Sequence, residues 1–184
     1  MIMQSRCNGN TGSALRVGFP QLCLNDGAGG LRQADNVTAF PDGITVGATF
    51  DKKLMYERGK AIGEELRGKG VHIWLGPSVG PLGRKPKGGR NWEGFGTDPV
   101  LQGFGARETI RGLQEQGVAA TVKHLVGNEQ EMYRMYNPFQ KAYSANIGES
   151  RIFAGGTVQM YPNRGPGKMI ELCTSSTSGH SPKR

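Results

Sequence analysis

Four consecutive residues, Arg90-Asn91-Trp92-Glu93, place a guanidinium, an amide, an indole and a carboxylate side by side in a glycine-hinged loop running from Gly83 to Phe95. Arg90, Asn91 and Glu93 can donate to or accept from hydroxyl groups, and Trp92 offers an apolar ring face. Gly88 and Gly89 let the backbone turn tightly just before them. That mixture suits a carbohydrate, although a glycine-rich polar loop with one tryptophan is also a common surface connection. Two more segments carry polar groups at the ends of apolar runs. Leu22-Cys23-Leu24-Asn25 leads into Asp26-Gly27, and Ala119-Ala120-Thr121-Val122 leads into Lys123-His124. Both read as buried strands with polar tips.

Taken singly, these groups have ordinary explanations. Asp26 before a glycine is a common turn carboxylate, Arg90 could be a surface cation, and His124 a buried imidazole satisfied by a carbonyl. Jointly, in this order and at strand tips, they favour a pocket. Glu129 and Glu131 look like a carboxylate pair, but they follow Gly127-Asn128 and suit a helix N-terminus. Trp74 and Trp92 read as core or loop-packing residues rather than sugar platforms.

The elements that must position these groups follow from periodicity. Thr49 or Asp51 can cap a helix running to about Lys69, in which Met55, Gly59, Ile62 and Leu66 share one face, and Gly68 and Gly70 stop it. Val71-His72-Ile73-Trp74-Leu75 follows as a strand, with the Arg90 loop after it. The order then repeats. Thr97-Asp98-Pro99 starts a second helix, Gly103, Ala106, Ile110 and Leu113 mark its inner face, Gly117 ends it, and Val118 to Val122 forms the next strand. Alternating helices and short apolar strands without hairpin turns imply an α/β fold with a parallel sheet and right-handed crossovers. In a (β/α) barrel, active sites lie at the C-terminal strand ends, where Asp26, Arg90, Lys123 and His124 all fall.

The chain has 184 residues, 36% hydrophobic and 21% charged, enough for one sizeable core. Its 30 glycines fall mostly beside element ends, where they serve turns and caps. The net charge of +8 is scattered and not interleaved with aromatic residues, which argues against nucleic acid as a partner. The Arg84-Lys85-Pro86-Lys87 cluster could hold a phosphate, but no phosphate-loop motif accompanies it, and a solvated loop face is the simpler reading. No Cys-x-x-Cys pair or His/Cys cluster argues for metal, and no motif calls for a cofactor. No membrane-length apolar stretch and no start-proximal apolar segment is present, so neither a membrane partner nor a signal peptide is expected in this chain. Asn36-Val37-Thr38 is a glycosylation sequon, which suits secretion.

Leu22 to Gly27, Gly76-Pro77-Ser78-Val79-Gly80-Pro81-Leu82-Gly83-Arg84 and the run from Lys123 to Glu131 together resemble the N-terminal domain of the family 3 glycoside hydrolases, the secreted fungal β-glucosidases in particular. The resemblance runs from about Cys7 to about Ile147. It implies a partial (β/α)8 barrel over residues 1–147; it does not extend to residues 148–184, whose composition reads as a divergent, disordered tail in which Cys173 stands alone. It also implies a disulfide between Cys7 and Cys23, in keeping with an extracellular parent whose N-terminus is truncated here. The ligand it implies is glucose or a β-glucoside. Asp26 would accept from two sugar hydroxyls, with Arg90, Lys123 and His124 gripping their neighbours.

Adjacent strand residues point to opposite faces, so Lys123 and His124 can share a ligand only if the strand end is distorted. The family is known for irregular peptide geometry at that pair. Two carboxyl groups must flank the bond in retaining hydrolysis. The family takes its nucleophile from a Ser-Asp-Trp type motif and its acid/base from a second domain. Neither motif is present, and the last aspartate in the sequence is Asp98. The chain alone is therefore expected to be inactive, the alternative being a non-catalytic glucose-binding module. Where the family often has Pro-Leu after Asp-Gly, this sequence has Ala28-Gly29, which should loosen the turn beside Asp26.

Overall fold

The computed structural model describes residues 7–80, 86 and 88–124, together with the backbone of Val158–Met160. Most of the Arg84 to Lys87 cluster, Glu129, Glu131, Cys173 and the remainder of the 148–184 segment lie outside the described residues.

Five strands form one sheet in the order β1 (Gly9–Asn10), β2 (Cys23–Asn25), β3 (Ile73–Trp74), β4 (Ala119–Val122) and β5 (Val158–Met160). β2, β3 and β4 run parallel, with Asn25 opposite Trp74 and Trp74 opposite Ala120. β1 and β5 pair antiparallel at the two edges, so the sheet is mixed rather than wholly parallel. The difference has a local cause. β1 returns to β2 through a short 3-10 turn at Leu15–Val17 instead of a crossover helix, and antiparallel neighbours need no crossover.

Two long helices join the parallel strands. α1 (Gly43–Gly47) is a short turn ahead of them; α2 (Lys52–Gly68) links β2 to β3, and α3 (Pro99–Gln114) links β3 to β4. Asp51 caps α2 by accepting from the amides of Lys53 at 2.7 Å and Leu54 at 3.3 Å. Asp98 caps α3 in the same way from Val100 at 2.6 Å and Leu101 at 3.3 Å, with Pro99 in the first turn, where its missing N–H costs nothing. Gly70 and Gly117, with φ of 76° and 81°, turn the chain out of each helix into the next strand.

The core lies between these helices and the sheet, and Ile62, Leu66, Trp74, Leu113 and Val118 are fully buried in it. Each such side chain contributes about 1.5–3 kcal/mol by leaving water. Met55, Gly59, Ile62 and Leu66 form the inner face of α2 as their spacing predicts. On α3, Ile110 and Leu113 are buried and Ala106 packs against the core as predicted, but the rest of the inner face differs. Gly103 is exposed, whereas Gly105, Thr109 and Gly112 are buried. Glycine also does more here than serve element ends. A Cβ at Gly59 would come within 2.4 Å of the Thr109 carbonyl, and one at Gly112 within 2.4 Å of the Tyr56 carbonyl, so bare glycines let α2 and α3 touch backbone to backbone.

Candidate functional site

Because β2, β3 and β4 are parallel, their C-terminal tips emerge on one side of the sheet. Asp26 leaves β2 there, and Lys123 and His124 leave β4.

The Asp26 turn is held from several directions. Asn25, fully buried, uses its carboxamide like a second backbone, accepting from the Arg32 amide at 3.1 Å and donating to the Arg32 carbonyl at 3.0 Å. The indole N–H of Trp74 donates to the Gly27 carbonyl at 2.9 Å. Arg58 reaches up from α2 to donate to Ala28 and Pro41 carbonyls at 2.7 and 2.6 Å. Its burial pulls the guanidinium pKa down to about 10, partly offset by the nearby Asp42 charge, so it remains a cation at neutral pH. Gly27 is obligatory, since a Cβ would meet the Gly30 carbonyl at 2.2 Å. The turn that Ala28-Gly29 should have loosened is thus fixed by partners outside it, which no local sequence rule registers.

Arg90 comes from the loop after β3. Gly89 takes φ 87°, and Asn91–Glu93 then make a 3-10 turn that brings Glu93 back beneath Arg90. Arg90 donates through Nε to Glu93 Oε1 at 2.6 Å and through its terminal nitrogen to Oε2 at 2.9 Å. Ser78 Oγ donates to the same Oε2 at 3.0 Å. The sequence offers Glu93 as a hydroxyl partner beside Arg90 and Asn91; in the structure its carboxylate is instead occupied by Arg90 and Ser78. Burial works to raise the Glu93 pKa, but the bonds and charge of Arg90, the Ser78 hydroxyl and the charge of Lys123 outweigh it and hold the group below the usual carboxylate range.

At the tip of β4 the Lys123–His124 peptide is cis, and both side chains line the same cavity. Lys123 donates to the Asp26 carboxylate. The His124 pKa is lowered to about 4, first by burial and then by the charges of Arg90 and Lys123, against weaker opposite effects of Glu93 and Asp26. The imidazole is therefore neutral across the physiological range.

Asp26, Arg90, Lys123 and His124 all border one cavity of about 610 Å³. Arg32, Thr38, Asp42 and Trp92 border it too, and the sequence does not single them out as site residues. For Arg32 and Asp42 a signal existed in their closeness to Asp26-Gly27 and to Pro41-Asp42-Gly43, but turn residues of this kind are too common to choose among. Trp92 is 46% exposed at the cavity wall, whereas Trp74 is core. A carboxylate, two cations and a neutral imidazole around a space of this size can bind a small polyhydroxylated molecule by charge-assisted hydrogen bonds. Among the described residues no cluster of His, Cys, Asp or Glu could hold a metal ion, and no helix is long and apolar enough to cross a membrane.

The profile of the glycosyl hydrolase family 3 N-terminal domain matches residues 5–135, most of the chain and all four cavity groups. The chain belongs to glycosyl hydrolase family 3. A family 3 relative, the probable beta-glucosidase F of Neosartorya fischeri, is 64% identical over 148 residues, which cover 80% of this chain and 17% of the relative. Among solved structures, the beta-D-glucoside glucohydrolase of Trichoderma reesei superposes with a TM-score of 0.66 at 51% identity, covering 68% of this chain and 18% of that one. Beta-glucosidase 3B of Thermotoga neapolitana, solved with α-D-glucose, superposes with a TM-score of 0.65 at 40% identity, covering 70% of this chain and 19% of that one. The chain thus spans about a sixth of the length of the family 3 proteins it matches.

Proposed function

We propose that this chain is the sugar-gripping part of an extracellular β-glucosidase that removes terminal β-linked glucose from cellobiose and related glucosides with retention of configuration. The observation that carries this reading is the meeting of Asp26, Arg90, Lys123 and His124 in one cavity at the strand tips. Asp26 accepts from two hydroxyls of the terminal glucose, while Arg90 and the Lys123–His124 pair donate to and accept from the hydroxyls beside them. In the architecture proposed, the β2-α2-β3-α3-β4 run is the first portion of a (β/α)8 barrel, which needs about 250 residues to close. Its parallel strands and intervening helices support that assignment. Asn36, exposed and in the left-handed region at φ 55°, carries a glycan in the secreted protein.

Hydrolysis with retention needs a carboxylate nucleophile and a carboxylic acid flanking the bond. Of the carboxylates bordering the cavity, Asp26 is engaged by Lys123, Glu93 by Arg90, and Asp42 lies near the Arg58 charge, and the sequence contains no Ser-Asp-Trp type motif, so on this reading the chain by itself binds without turning over. The test is glucose titration of the purified chain by calorimetry, alongside an aryl β-glucoside assay. Saturable binding lost in Asp26→Ala, with no hydrolysis, is the expected result. Hydrolysis abolished by Asp26→Ala would overturn the assignment of the chain as silent, and absence of glucose binding would overturn the assignment of the cavity.

A further inference from the structure

We propose that Glu93 is a positioning residue for sugar recognition: it holds the Arg90 guanidinium at the cavity wall and, through Ser78, couples it to the tip of β4. This role rests on the cavity's reading as a sugar site.

An arginine is a long, rotamer-rich side chain, and a single hydroxyl contact does not fix its plane. Glu93 fixes it at two points, since Nε and a terminal nitrogen of Arg90 meet the two carboxylate oxygens at 2.6 and 2.9 Å. The fork is largely shielded from water, with side-chain exposures of 17% for Arg90 and 8% for Glu93. A solvated surface pair gains little order this way, whereas a buried bidentate one does.

Glu93 is itself immobilised. Ser78, 2% exposed, donates to its Oε2, and the Glu93 backbone lies so close to Gly43 in α1 that a Cβ there would sit 2.1 Å from the Glu93 carbonyl. Ser78 in turn bridges to Lys123 in parallel register: the Val79 amide donates to the Lys123 carbonyl at 2.6 Å, and the Lys123 amide to the Pro77 carbonyl at 3.1 Å. Arg90, Glu93, Ser78 and Lys123 therefore form one continuous line of contacts from the loop to the strand tip. Charge follows the same logic, for Glu93 balances Arg90 while Asp26 balances Lys123.

The test combines a double-mutant cycle with a direct view of Arg90. Glucose is titrated against the full chain and its Arg90→Ala, Glu93→Gln and double variants, and the Arg90 Nε–H resonance is followed by NMR. Loss of a charged hydrogen-bond partner predicts about tenfold weaker binding for Glu93→Gln but less than about twofold further loss in the Arg90→Ala background, because Glu93 acts through Arg90. The Arg90 Nε–H should exchange slowly in the unaltered chain and measurably faster in Glu93→Gln, whose carboxamide offers one neutral acceptor in place of two charged ones. Equal losses in both backgrounds, or an unmoved Nε–H signal, overturn the proposal.

If the unaltered chain binds no glucose, the sugar-site reading fails while the Nε–H signal still decides whether Glu93 positions Arg90. If Glu93→Gln does not fold, Ser78→Ala takes its place. It leaves the fork intact and predicts a smaller loss of about threefold with a shifted Nε–H resonance, and no change in either would overturn the coupling.

Discussion

Lys123 donates its ammonium group to the carboxylate of Asp26 across the tip of the intervening strand, closing a contact between residues 97 positions apart. β2 and β4 are both neighbours of β3, so their tips stand about 10 Å apart, and only a long side chain can span that gap. The pair is asymmetric, because the Lys123 side chain is 9% exposed and that of Asp26 43%.

That asymmetry predicts an order of stabilities. Asp26→Ala strands a buried ammonium without its counter-charge and should cost about 1–2 kcal/mol, a figure reduced for the water that reaches Asp26. Lys123→Met leaves a carboxylate that water can solvate and fills the space with apolar volume, so its cost should be smaller. Urea denaturation of both variants decides the order, and a larger loss in Lys123→Met would refute it.

His124 gives the fold a pH dependence of definite sign. Its pKa falls from 6.5 to about 4 on folding, so between those values the unfolded chain binds the proton more readily. Stability contributed by the neutral imidazole is complete above pH 6.5 and is lost progressively as the pH falls to about 4, by at most about 3 kcal/mol. Glu93 adds a separate loss, since its depressed pKa stabilises the fold above the ordinary carboxylate range and this is forfeited at lower pH. Comparing unfolding of the unaltered chain with His124→Gln at pH 7, 5.5 and 4.5 isolates the histidine. The two curves should converge as the pH drops, and parallel curves would exclude the assignment.

Much of this arrangement is legible in the sequence. The α2 face, a cap at Thr49 or Asp51, a helix start at Thr97-Asp98-Pro99 and the strand ends at Asp26 and Lys123 follow from spacing, because each is set by residues within one or two turns of each other. What stayed hidden depends on distant partners. Nothing near Ala28-Gly29 reveals that Trp74 and Arg58 hold that turn, and nothing in Glu93 itself reveals that Ser78 waits opposite it. The antiparallel edges escaped for a different reason, since strands of two and three residues are too short to show a period.

Two glycines of opposite character make a controlled comparison. Gly43 lies against the Glu93 carbonyl, so Gly43→Ala must push the Arg90 loop away from α1 and should cost about 1–3 kcal/mol. Gly103 sits exposed within α3 with nothing inside 4 Å of a Cβ, so Gly103→Ala should stabilise by about 0.5–1 kcal/mol through helix propensity and reduced unfolded-state entropy. Thermal melting of the pair tests both signs at once. A stable Gly43→Ala protein with an unaltered Arg90 environment would mean that the contact yields easily.

The disulfide between Cys7 and Cys23 links stability to the site by a short route. It ties Cys7, just ahead of β1, to β2 with Cα atoms 5.3 Å apart and encloses a segment with a sequence separation of 16, for which the loop-closure effect is about 3 kcal/mol. Asn8, next to Cys7, accepts from the Asp26 amide at 2.6 Å and donates to the Gln33 side chain at 2.6 Å, so the linkage also steadies the turn that carries Asp26. The Cys7→Ser/Cys23→Ser variant should lose about 2–3 kcal/mol in denaturant titration and show faster amide exchange at Asp26. Exchange at Val118 and Ala120, on the far side of β3, should change only by the global loss. Faster exchange spread evenly over both regions would show that the disulfide stabilises the fold as a whole without a particular hold on the Asp26 turn.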